Sequence, residues 1–211
     1  MEKLRKLRQS FNEQNIEAIL LTSEYNRRYM TGFTGTAGVA IITQEHAVFI
    51  TDFRYTQQAQ KELVGFEIVQ HSKPIMEEVG AQLEKLNIKS VGFEKDHMSY
   101  AMFEIYQKAI KADLIPVSGL VEKIRLIKTE QEIKILKAAA NIADAAFEHI
   151  ITYIKPGKTE LEVSNELEFF MRKQGASSSS FDIIVASGLR SALPHGVATD
   201  KIIETGDFVT L

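Results

Sequence analysis

The run Phe181-Asp-Ile-Ile-Val-Ala-Ser-Gly-Leu-Arg-Ser-Ala-Leu-Pro-His-Gly196 holds the densest chemistry in the chain. A β-prone stretch enters a glycine turn, and Pro194-His195-Gly196 then presents an imidazole on a constrained loop. Proline fixes φ on one side of His195, and glycine admits close backbone approach on the other. An imidazole held this way can donate a hydrogen bond to a carbonyl or a developing oxyanion. A plain structural histidine is the other reading of the same residue. Ser187, His195 and Asp200 do not spell a nucleophilic triad. A nucleophile elbow carries glycine two residues before and two after its serine, where this chain has Val185 and Leu189.

Metal chemistry has no local signature. The five histidines, His46, His71, His97, His149 and His195, stand far apart, and there is no H-E-x-x-H. A catalytic metal needs three or more converging ligands. There is no cysteine, which excludes a zinc ribbon, a disulfide framework and a thiol nucleophile. Gly32, Gly35 and Gly38 lie in Thr31-Gly-Phe-Thr-Gly-Thr-Ala-Gly38, which is not G-x-G-x-x-G and leads into a strand rather than a helix. A phosphate cradle needs a helix N-terminus, so these glycines read as a flexible loop or as a loop that reaches a site. Asp52-x-Arg54-Tyr55 follows a strand, where an aspartate commonly caps the next helix; substrate contact is its second reading.

The elements that must carry these residues fit an ordinary globular chain. It has 211 residues and a mass of 23.7 kDa, room for one large or two small domains. Hydrophobic residues make up 45% and charged residues 25%, which argues against disorder, collagen and coiled coil. A net charge of −3 gives no field that points to nucleic acid or membrane. No apolar run approaches the roughly 18 residues of a membrane span. Lys3, Arg5, Lys6 and Arg8 read as the solvated face of a first helix. The absence of a secretory signal and of cysteine suggests the cytoplasm.

Up to about residue 120 strands alternate with helices. The pattern predicts a helix over 2–13, strands at 16–21, 38–43 and 47–51, a helix near 55–63, and a strand at 66–70. A helix at 75–86, a strand at 90–93, a helix at 100–110 and a short strand at 113–116 follow. This is an α/β layer fold, and its hairpin pair makes the sheet mixed. Beyond, residues 121–126 look like a connector. Thr129-Glu130-Gln131-Glu132 and Thr159-Glu160-Leu161-Glu162 are capping boxes that start two helices. Ile135, Ala139, Ile142, Ala146 and Ile150 form a stripe on the first, which Pro156-Gly157 stops. The stretch 181–186 reads as a strand. Phe208-Val209-Thr210-Leu211 begins another inside an apolar run, so the chain reads as part of something longer.

Taken with Asp200-Lys201 and Gly206-Asp207-Phe-Val-Thr-Leu211, the 187–196 run resembles the pita-bread metallopeptidases of the Xaa-Pro dipeptidase and Xaa-Pro aminopeptidase type. Tyr29-Met-Thr-Gly-Phe-Thr-Gly35 and Thr51-Asp-Phe-Arg-Tyr55 look like the family's N-terminal domain. Residues 119–130 look like its connector. The resemblance implies a ribonuclease-H-like α/β domain over 1–120, a connector over 121–128, and the first part of an α+β pita-bread domain over 129–211. It implies hydrolysis of peptide bonds preceding proline by a homodimer that has no nucleic-acid or membrane partner. Two divalent metal ions, manganese or cobalt, would be held by two aspartates, one histidine and two glutamates.

In the family pattern the first ligand aspartate follows the position of Leu211. No metal ligand is therefore expected in this chain, and Asp207 matches a turn aspartate. By resemblance His195 is catalytic, a non-ligand histidine that contacts substrate or stabilises the intermediate. Gly32, Phe33, Thr34 and Gly35 are the candidates for substrate contact in the partner's site. A creatinase-like hydrolase and a non-catalytic pita-bread peptide-binding module are the alternatives.

Overall fold

Ala18–Leu21 is apolar at every position, and the structure buries all four residues. This strand, β1, has two dry faces: Ile19 and Leu21 belong to one core cluster, Ala18 and Leu20 to the other. A strand covered on both sides belongs inside a layered fold. The computed structural model describes residues 2–211. It divides into two compact units, one ending at Ile127 and one starting at Lys128.

Among the described residues of the first unit, β1, β2 (Val39–Thr43), β3 (Ala47–Thr51), β4 (Glu67–Gln70), β5 (Ser90–Glu94) and β6 (Asp113–Val117) form one sheet in the order β4-β3-β2-β1-β5-β6. Only β2 runs against the others: it pairs antiparallel with β1 and β3, while β3–β4, β1–β5 and β5–β6 are parallel. On one face pack α1 (Glu2–Gln9), α2 (Phe11–Gln14), α3 (Glu24–Thr31), α4 (Thr56–Glu62) and α7 (Leu120–Leu126), through Leu7, Phe11, Met30, Ala59 and Val121. On the other pack α5 (Ile75–Lys85) and α6 (Tyr100–Ala109), through Val79, Leu83 and Tyr106. The mixed α/β sheet is as the sequence predicts.

Two details of this unit differ from the sequence reading. The first helix is broken at Ser10, and α2 ends on Asn15 in the left-handed conformation, φ 53°. The stretch expected as a connector is helical: Leu120 and Val121 of α7 are 8% and 1% exposed in the first unit's core. That apolar pair draws the segment onto the sheet, so the division falls after Ile127.

In the second unit both expected capping boxes form. Thr129 starts α8 (Glu130–Tyr153) and Thr159 starts α9 (Glu160–Lys173), each with reciprocal bonds to the glutamate three residues on. The two helices pack through Ala146, Ile150, Val163 and Leu167, and His149 Nε2 lies 2.7 Å from Glu166 Oε1 across them. The stripe expected along α8 is buried only at this C-terminal end; Ile133, Ile135 and Leu136 are exposed. The strand expected over 181–186 is also shorter. Ile184 makes one bridge to Val197, and β7 (Ala186–Ser187) pairs with β8 (Val209–Thr210). Phe181 finds no ladder and is exposed, since a β-prone sequence becomes strand only where a second backbone pairs with it.

Candidate functional site

The Gly32–Gly38 loop of the first unit is fastened along its length. Phe33 is fully buried, with its ring 4.6 Å from that of Phe49 and 5.9 Å from that of Tyr55. Glu62 accepts from the Thr34 amide and hydroxyl, both at 2.8 Å. Arg27 of α3 donates to the carbonyls of Gly35 and Gly38 at 2.9 and 2.8 Å. Thr51 Oγ1 donates to the Ala37 carbonyl, and Thr36 Oγ1 meets Tyr55 Oη at 2.7 Å. Glycine is required by packing here. A Cβ at Gly35 would collide with the Phe33 ring, and one at Gly38, where φ is +146°, would lie 2.6 Å from Phe49 Cζ. The loop is therefore a rigid ledge, with Gly32, Thr34 and Thr36 exposed on it.

Asp52 accepts from the Arg54 backbone N–H and, in a bidentate pair, from Arg54 Nε and Nη2 at 2.9 and 2.8 Å. These hydrogen bonds from Arg54 hold the Asp52 carboxyl at about 2. The pair closes the turn before α4.

In the second unit His195 sits exposed at the tip of a tight turn. Its carbonyl accepts from the Val197 amide at 2.9 Å, and the Leu193 carbonyl accepts from the Gly196 amide at 3.2 Å. Gly196 is buried, and a Cβ there would lie 2.6 Å from that of Ala186, so the turn presses flat against β7. A 3₁₀ turn over Gly188–Ala192 forms the other side of the loop.

What ties these pieces together is Glu160, the first residue of α9. Its side chain has no exposure. One carboxylate oxygen accepts from Ser187 N at 2.7 Å and Ser187 Oγ at 3.0 Å; the other accepts from Thr199 N at 3.0 Å and Thr199 Oγ1 at 2.7 Å. Arg190 Nε reaches both at 3.3 and 3.2 Å, and its Nη2 donates to the Val197 carbonyl at 2.8 Å. Burial pushes the Glu160 carboxyl up, but the donors of Thr199 and Ser187 outweigh it and hold the group at about 2. Beside it, Lys201 Nζ donates to Ser187 Oγ at 3.0 Å and to Asp207 Oδ2 at 2.8 Å.

The four first-unit candidates, Gly32, Phe33, Thr34 and Gly35, are contiguous on the ledge, and His195 belongs to the second unit. Phe33 is buried, so its role on the ledge is to anchor it. Ser187 is fully buried and bonded to Glu160 and Lys201, with His195 not among its partners, which disposes of a triad. Glu160 and Arg190 are the residues that sequence reasoning missed. The second capping box contained the only signal: Glu162 makes the box, leaving Glu160 without a local task.

Among the described residues no three His, Asp or Glu side chains converge as a metal site. Glu160 and Asp207 are already occupied by protein donors. These residues do not fit a dinuclear centre, and no metal-dependent step follows from them.

The sequence matches the family model described as "Creatinase/Prolidase N-terminal domain" over residues 3–127 and that described as "Metallopeptidase family M24" over residues 134–211. It is 56% identical over 210 residues to the "Uncharacterized peptidase YqhT" of Bacillus subtilis, covering 99% of this chain and 60% of that protein. It is 37% identical over 212 residues to the "Xaa-Pro dipeptidase" of Pyrococcus horikoshii, covering 100% and 59%. The chain thus spans about 60% of the length of the curated relatives it matches. The solved Xaa-Pro dipeptidase from Bacillus anthracis superposes with a TM-score of 0.94 at 64% identity, covering 99% of this chain and 59% of that one. An Xaa-Pro aminopeptidase structure from Streptococcus pyogenes matches with a TM-score of 0.54 at 35% identity, over 58% of this chain and 94% of its own.

Proposed function

The chain belongs to the creatinase/prolidase-type metallopeptidases of family M24, and from that premise we propose that the whole protein hydrolyses the peptide bond preceding proline, as an Xaa-Pro dipeptidase or aminopeptidase. The observation that carries this reading is the His195 turn. An exposed imidazole stands on a backbone fixed by Gly196 against β7 and by Arg190 and Thr199 on Glu160. A donor held rigid before the reaction stabilises charge without reorganising when that charge appears. In this reading His195 donates to the scissile carbonyl oxygen as it becomes the tetrahedral oxyanion. The ledge contacts substrate in the partner's site of a homodimer through Gly32 and Thr34, while the buried Phe33 and Gly35 anchor it. In this family reading, two divalent ions, manganese or cobalt, would activate the attacking water. Among the described residues no cluster would hold them, and we place the protein in the cytoplasm.

The test is proline release from an Xaa-Pro dipeptide by the whole protein, with and without manganese. Metal-dependent release is expected. His195→Ala should lower kcat by about 10²–10³, the scale of one lost oxyanion donor. An unchanged rate at full metal occupancy would remove His195 from the mechanism. No release under any metal, with tight binding of the peptide, would point to a peptide-binding module. Turnover of creatine alone would point to a creatinase-like hydrolase.

A further inference from the structure

A cavity of about 490 Å³ opens in the first unit where several parallel strands end. It lies beyond Leu21 of β1, Gln70 of β4 and Glu94 of β5, the edge where open α/β sheets take ligands. Its polar lining is Thr22, Arg27, Thr36, His71, His97 and Ser99, and no aspartate or glutamate lines it. The first turns of α5 and α6 border it at Ile75 and at Ser99 and Met102, so two helix N-termini, each carrying partial positive charge, face the same space.

Polar groups just behind this lining lack partners. Among the described residues the buried side-chain polar atoms without a hydrogen-bond partner are Thr22 Oγ1, Arg27 Nε and Gln82 Oε1, and the first two belong to residues of this cavity. Arg27 is only 4% exposed, and its bonds go to the carbonyls of Gly35 and Gly38 rather than to a carboxylate. Burial lowers its pKa, with Glu24 and Tyr55 opposing. The acids of this edge are engaged elsewhere: Glu94 accepts from the amides of Thr22 and Ser23, and Asp52 is paired with Arg54. A buried guanidinium bonded only to neutral carbonyls, with Glu24 acting on it through space alone, is costly, and a bound anion would offset that cost.

We infer that this crevice binds a small organic monocarboxylate, with its carboxylate toward Arg27 and the helix N-termini and its apolar body against Ile75, Met98, Met102 and Tyr106. The volume falls in the range of small-molecule sites, and one arginine with neutral donors matches a single negative charge. The site does not depend on the peptidase reading, because every residue in it belongs to the first unit.

The test is a titration of the intact ¹⁵N-labelled chain with N-acetyl-L-leucine, followed by amide shifts. Saturable shifts at Met76 and Ala101 are expected, with none from the uncharged N-acetyl-L-leucinamide. Arg27→Met should weaken binding about tenfold or more, the scale of a lost charged hydrogen bond. Since Arg27 also holds the 35–38 carbonyls, Met102→Trp gives a second arm: it fills the apolar end, leaves every charge in place, and should also abolish binding. Equal shifts from acid and amide, shifts that never saturate, or full binding by a folded Met102→Trp protein would overturn the inference. So would binding of inorganic phosphate in place of the organic acid.

Discussion

Glu160 sets the energetics of the second unit, because a buried carboxylate is stable only while its donors are in place. Its donors come from two stretches far from it in sequence, Ser187 with Arg190 and Thr199, and together they bracket the His195 turn. Its carboxyl titrates at about 2 in the fold against 4.5 for the free side chain. A depressed folded-state value means that the stabilisation is fully present above 4.5 and is lost as pH falls toward 2. Glu160→Ala should cost about 3–5 kcal/mol, since it leaves the Arg190 charge and the Ser187 and Thr199 donors unanswered. Urea denaturation followed by circular dichroism at pH 7 and pH 3 checks both points. Wild type should lose stability at pH 3, and the gap to a Glu160→Gln variant should narrow there. A gap independent of pH would show that the carboxylate charge is not what holds the turn.

At the scale of elements, the decisive feature is close approach. Helix α5 carries Gly80 where it crosses α6, and a Cβ there would run into the Ala109 carbonyl oxygen. Gly→Ala inside a helix ordinarily gains up to about 1 kcal/mol from propensity. Here the obstacle is backbone, which cannot rotate aside, and overpacking of that kind costs about 1–3 kcal/mol. Gly80→Ala should therefore destabilise the first unit despite better helix propensity, read as a lower thermal midpoint; a raised midpoint would mean that the two helices slide apart freely. The same logic explains the glycine ledge. Gly35 and Gly38 exist to let Phe33 and Phe49 pack beneath the chain, and the rigidity that follows is what suits the loop to contact a ligand.

At the scale of the whole molecule, the division at residue 127 separates a layered α/β unit with two dry faces from a smaller unit with one core. The Streptococcus pyogenes structure matches 58% of this chain over 94% of its own length, close to the share of the chain that the first unit takes. Residues 1–127 expressed alone should unfold in a single cooperative urea transition, with coincident circular dichroism and tyrosine fluorescence. Non-coincident transitions would show that the first unit depends on residues beyond α7.

The sequence by itself determined the layered α/β order and the helix starts at Thr129 and Thr159, and it drew attention to His195. Each follows from short-range signals: apolar period, capping spacing and the flanking Pro194 and Gly196. Only the tertiary structure decided that the glycine loop is a rigid ledge, that residues 120–126 fold back as a helix, and that residues 181–183 stay unpaired. It alone disclosed Glu160 as the hub of the His195 turn and Arg27 as a buried cation at the strand ends. The physical reason is the same in every case. A side chain's burial and its partners depend on segments that sequence distance does not connect, as Glu160 with Thr199 and Arg27 with the strand-end cavity demonstrate.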